Sequence, residues 1–150
     1  MNLLVKISVV VICLVGLAAC GPNCKCDVPG PALVKVFVAD DGIPNVNIET
    51  VVVYPEQKVV FEGPKKFSLI FKGVSPDDAS ERDREYSTDD GVIEITVGKE
   101  FKDALSSMKY DKRTAQTQGE SPELARHITI KYDVEVNGKV RDPKMKIIPK

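Results

Sequence analysis

The chain has 150 residues, enough for one domain of ordinary size, and 43% of them are apolar, so a real core can be buried. Its 21 basic and 22 acidic residues leave a net charge of −1, so overall composition makes no electrostatic case for nucleic acid or for an acidic partner. A single His and no Trp leave few routes to acid–base or metal chemistry near neutral pH.

Residues 1–19 read as a secretion signal. Lys6 supplies positive charge, residues 7–17 form a nearly unbroken apolar run, and Ala18-Ala19 closes it with small side chains. The alternative is a retained transmembrane helix. From Leu3 the apolar stretch spans about 17 to 18 residues and contains Lys6, short of the roughly 20 needed. Leu17-Ala18-Ala19-Cys20 resembles the lipobox of bacterial lipoproteins. That resemblance implies a diacylglycerol on the Cys20 thiol, cleavage before Cys20, and acylation of the new amino terminus, typically with palmitate. One acyl chain binds a membrane reversibly, whereas two or three hold essentially permanently. In the Gram-negative members an Asp after the lipidated Cys marks inner-membrane retention. Gly21 stands there instead, which implies the outer membrane, facing the periplasm, if the cell has one.

Residues 20–32 then form a lipidated tether. Gly21-Pro22 and Pro29-Gly30-Pro31 propagate neither helix nor ladder. At about 3 Å per residue this segment reaches some 35 to 40 Å at most. It carries Cys24 and Cys26, and outside the cytoplasm such a pair is expected to form a disulfide, although the Cys-x-Cys ring is small and strained. Unpaired or further acylated thiols, and a soft-metal site with two thiolates, are the alternatives; two ligands are too few for the last.

Residues 33–150 read as short strands separated by turns. Residues 33–39 are rich in Val and Phe, and residues 40–45 are turn material. Residues 46–54 form a second strand, stopped by Pro55-Glu56-Gln57. Residues 58–62 and 67–72 flank Gly63-Pro64-Lys65-Lys66, and residues 92–97 follow Asp89-Asp90-Gly91. In residues 127–136, Ile128, Ile130, Tyr132, Val134 and Val136 fall on one face, with His127, Thr129 and Lys131 on the other. Asn137-Gly138 is the strongest hairpin signal in the chain. Residues 144–148 form a last strand after Asp142-Pro143. Two stretches depart from this pattern. Residues 76–90 are highly charged and read as a solvated loop. Residues 100–110 place Phe101, Ala104, Leu105 and Met108 at helical spacing. Residues 109–123 are polar and read as a mobile loop.

The expectation is an all-β fold: a single small β-sandwich or Greek-key barrel of about seven strands with one short helix. Val59-Val60-Phe61-Glu62-Gly63-Pro64 followed by Phe67-Ser68-Leu69-Ile70-Phe71, and the run from Tyr132 to Gly138 leading to Asp142-Pro143, resemble small cupredoxin-like or immunoglobulin-like sandwiches. The resemblance is one of pattern, and fold likeness carries no function.

No catalytic constellation is complete. A blue-copper site needs two His, one Cys and a weak axial Met. The chain offers only His127, its remaining Cys lie in the tether, and none lies near Met108 or Met145. Nucleophilic hydrolysis needs a base and an orienting group, and His127 is the only candidate base. Asp77, Asp78, Glu81, Asp83, Glu85, Asp89 and Asp90 are interleaved with Arg82 and Arg84, as in a solvated face, and lack EF-hand spacing. No catalytic, metal or cofactor residue is therefore assigned. The sequence points to a non-enzymatic binding or structural module in the cell envelope. Its expected partners are the membrane, through Cys20, and an envelope protein, glycan or small ligand, with no nucleic acid. A copper-handling envelope protein and a hydrolase are the alternatives.

Overall fold

The computed structural model describes residues 29–108 and 126–150. The expected signal segment, Cys20, Cys24, Cys26 and all of the expected 109–123 loop lie outside them. Among the described residues ten strands and one helix follow in chain order: β1 (Ala32–Val38), β2 (Pro44–Val46), β3 (Thr50–Val53), β4 (Lys58–Glu62), β5 (Phe67–Lys72), β6 (Glu85–Thr88), β7 (Val92–Thr96), α1 (Glu100–Ser107), β8 (Ile128–Val136), β9 (Lys139–Arg141) and β10 (Lys144–Ile147). They form two mixed sheets, ordered β2-β1-β4-β7 and β3-β10-β8-β5-β6, with β9 paired to β8. The fold is all-β and sandwich-like, with no closed barrel.

Alternation along the strands builds the core. Val34, Val59, Phe61 and Ile95 point inward from the first sheet. Leu69, Phe71, Tyr132, Val134 and Met145 point inward from the second. The rings of Phe61 and Tyr132 meet across the sandwich edge to face at 5.6 Å, and Phe71 stacks on Tyr132 at 5.2 Å. Helix α1 adds Phe101 and Leu105 to the same cluster.

Four expectations from the sequence need correction. The strand expected over residues 46–54 is two strands in different sheets. β2 pairs β1, β3 pairs β10, and the chain crosses between sheets at residues 47–49. Asn47 marks the break: its Oδ1 accepts from the Lys35 amide at 2.6 Å and its own amide donates to the Lys35 carbonyl at 3.0 Å. The crossing residues Asn47, Ile48 and Glu49 are exposed, while Val46 on one side and Val51 and Val53 on the other feed one core. Pro44, expected in a turn, opens β2 on a sheet edge, where a missing amide hydrogen is tolerated. Residues 76–90 are not a solvated loop throughout, since β6 lies among them and pairs β5. Ala32, assigned to the tether, already pairs Val59 in β1.

The Asn137-Gly138 signal is realised as a two-residue turn with both φ angles positive, 52° and 77°. It joins β8 to β9, and the same register continues into β10: Val136 opposes Lys139, Lys131 opposes Lys144 and Ile128 opposes Ile147. β9 and β10 are thus one long partner of β8 interrupted at Asp142-Pro143. Pro143 lacks an amide hydrogen, so only its carbonyl joins the ladder, accepting from the Tyr132 amide at 3.3 Å.

The sandwich has two distinct ends. At the proximal end the chain arrives from residue 29. Gln57 Nε2 donates to the Gly30 carbonyl at 2.7 Å, the Val97 amide donates to Gln57 at 2.9 Å, and the Gly98 amide donates to Pro76 at 2.8 Å. The last residues of β5 and the first of β8 lie here. At the distal end are the β8–β9 turn, the start of β5 and the end of β6.

Candidate functional site

Two polar constellations stand out, one at each end. The proximal one grows from the segment between β5 and β6. Gly73, at φ +89°, reverses the chain, and its amide donates to Asp83 Oδ1 at 2.9 Å. Val74 bridges to Arg82, and Asp78 closes a local turn by accepting from the Ser80 amide at 2.8 Å. The Ala79 amide donates to Glu100 Oε1 at 3.0 Å and ties the segment to α1. These contacts enclose Ser75, which is fully buried. Its hydroxyl donates to Asp77 at 2.5 Å and lies 3.1 Å from the Tyr86 hydroxyl. Arg84 bridges Asp77 at 3.0 Å and Glu81 at 2.8 Å, and its guanidinium lies over the Tyr86 ring at 5.1 Å.

The electrostatics follow from these partners. Burial opposes ionisation of Asp77, but hydrogen bonds from Ser75 and Tyr86 and the charge of Arg84 outweigh it and hold the carboxyl below its ordinary value. Burial pushes the Tyr86 hydroxyl up to about 12, helped by its hydrogen bond to Asp77. Hydroxyls, carboxylates and a guanidinium make up the network. Asp77 accepts from Ser75 and pairs with Arg84, so the constellation fastens the loop.

The distal constellation is an open depression of about 310 Å³ lined by β5, β6, β8 and their turns. Ser68 opposes Ser87 on one side and Glu135 on the other, which sets two hydroxyls and a carboxylate in one row across three strands. The two hydroxyls lie 2.9 Å apart. Lys66 and Asp89, 3.5 Å apart, form one wall, and Asn137-Gly138 form the other. Such a surface offers donors and acceptors at fixed strand spacing, which suits a polar ligand held by hydrogen bonds.

The candidates named from sequence are scattered. His127 lies half-buried directly before β8, Met145 is fully buried in the core, and Met108 is exposed at the end of α1. Among the described residues no group of three or more His, Cys, Asp or Glu is placed to hold a metal ion. Of the acidic residues, Asp77 and Glu81 meet at Arg84, Asp78 caps a local turn, Asp83 accepts from the Gly73 amide ten residues away, and Asp89 joins the distal wall. The reading by sequence missed the depression. Ser68 and Glu135 were legible as outward positions of their strands, but β6 has too little apolar alternation to announce itself. No protein-family description matches the chain, and no curated protein is significantly similar to it.

Proposed function

We propose that the chain is a lipid-anchored envelope protein whose sandwich is a non-enzymatic binding module. It is held on the membrane through Cys20, at the outer membrane facing the periplasm in a Gram-negative cell. Its distal depression takes an envelope protein, a glycan or another polar ligand. One observation carries the binding half of this reading: the row of Ser87, Ser68 and Glu135 lies at the end of the sandwich away from where the chain arrives at Gly30. A domain tethered at one end presents the other to the surroundings. The anchor half rests on Leu17-Ala18-Ala19-Cys20.

Intact mass and fractionation test the anchor. The full chain and its Cys20→Ala variant are expressed in a bacterium, and membrane and soluble fractions are separated. The expected product begins at Cys20, carries lipid mass and leaves the membrane on substitution. An unlipidated product, or membrane association that survives Cys20→Ala, would refute it.

A further inference from the structure

Overall charge balance hides a strong segregation on the outer face of the six-stranded sheet. Register sets Lys144 directly opposite Lys131, and Lys131 directly opposite Lys72. Lys146, two residues along β10, points to the same side. Cross-strand neighbours stand about 5 Å apart at Cβ, and like charges so placed destabilise a sheet. The remaining outward positions of this proximal half are Thr50, Val52 and Thr129, so it holds four lysines and no carboxylate. Asp133, Glu135 and Glu85 stand further along the same face, toward the distal end, and Asp142, opposite Asp133 in the continued register, is exposed two residues from Lys144. Only Lys72 reaches one of them, pairing with Asp133 at 2.6 Å. Lysines commonly guard exposed sheet edges. Here β3 and β6 are the edges, and the four lysines lie on β10, β8 and β5, the interior strands.

We propose that this lysine cluster is the surface on which the domain rests against an anionic phospholipid headgroup layer. Two features select a membrane as the occupant. A phosphate layer is extended and negative, matching a flat row of ammonium groups in which Lys72 alone is held by a carboxylate, that of Asp133. The cluster also lies at the proximal end, within reach of the roughly 35 to 40 Å that the segment from Cys20 can span. The choice of a membrane rests on the anchored reading above. The face itself stands on register alone.

Lysine footprinting tests the proposal. The mature protein, extracted from cell membranes, is reconstituted into phosphatidylcholine vesicles with or without phosphatidylglycerol. It is then labelled with an amine-reactive ester and mapped by mass spectrometry. Labelling of Lys72, Lys131, Lys144 and Lys146 is expected to fall severalfold only in the anionic vesicles, and to recover in high salt. Lys35, on the other sheet, and Lys66, at the distal end, should label equally in both. The doubly substituted K131E/K144E chain, checked for folding by circular dichroism, should lose the protection of Lys146. Each lysine removed should weaken association about fivefold. Equal labelling of the four lysines in both vesicle types would overturn the proposal. So would protection by a DNA duplex without protection by anionic vesicles. The intact mass separates the two readings. If Cys20 carries no lipid, the anchor reading fails, and the same labelling with vesicles added to the soluble protein still decides the lysine face.

Discussion

Replacing Tyr132 with Phe should stabilise this protein, although Tyr132 sits at the centre of its core. The ring is fully buried between Phe61 and Phe71, and both contacts survive the substitution. Among the described residues the buried hydroxyl has no hydrogen-bond partner. An unsatisfied buried polar group costs about 1–3 kcal/mol. Part of that gain is forfeited because the oxygen leaves a small void. The net expectation is about 1 kcal/mol of added stability, or an upward shift of about 4 °C in Tm. Far-UV circular dichroism during urea and thermal unfolding would measure it. The effect should grow at high pH. Burial and the charge of Glu49 raise the Tyr132 pKa well above the ordinary tyrosine value of 10.0. Above about pH 10 the unfolded chain therefore releases a proton that the folded one retains. The stability linked to that proton is complete below pH 10 and is lost as pH rises. Tyr132→Phe removes that loss, so the variant's advantage should widen from pH 9 to 11. A variant less stable than the parent by about 1 kcal/mol or more would refute the reasoning, because the hydroxyl would then be satisfied in the folded protein.

Three further predictions follow the same approach. Asp77→Asn should cost about 1–2 kcal/mol at pH 7, discounted for the partial exposure of Arg84, and flatten the acid limb of the stability profile. Because the fold lowers the Asp77 pKa below 3.8, its stabilisation is present above about pH 4 and lost as pH falls, which urea midpoints from pH 7 to 3 would show. Gly91→Ala should be far more damaging than Gly138→Ala, as equilibrium unfolding of the two variants would reveal. At Gly91, with φ +86°, a Cβ would sit 2.9 Å from the Gly63 carbonyl oxygen, a cost of about 3 kcal/mol or more. At Gly138 a Cβ meets nothing within 4 Å, so only the backbone strain of about 1–2 kcal/mol remains. Gln57→Ala strands two backbone groups, the Tyr54 amide and the Gly30 carbonyl. It should cost about 1–3 kcal/mol and speed proteolysis just before β1, read by limited digestion and mass mapping.

The sequence by itself determined the class of fold, most of the strands and the long hairpin, because these depend on local properties. Alternation in residues 128–136 marks the buried face of β8 whatever its neighbours are. Asn137-Gly138 specifies a turn through backbone conformation alone. The helix is legible because Phe101 and Leu105 are four residues apart. Tertiary structure decided what depends on partners remote in the chain. The apolar positions Val46, Val51 and Val53 cannot show that β2 and β3 join different sheets, since both sheets bury into the same core. Glu85–Thr88 becomes a strand because β5 offers it an edge, not because of its own pattern. Ser75, Asp77, Arg84 and Tyr86 read as a charged run until a loop folds round a buried hydroxyl. The last example is the charge itself. A count of 21 basic and 22 acidic residues makes no case for or against an anionic partner, because a sum carries no positions. The pairing register then sets Lys72, Lys131 and Lys144 side by side on interior strands. Sequence sets which residues alternate outward along each strand. Only the alignment between strands sets which of them become neighbours, and electrostatic recognition depends on those neighbours.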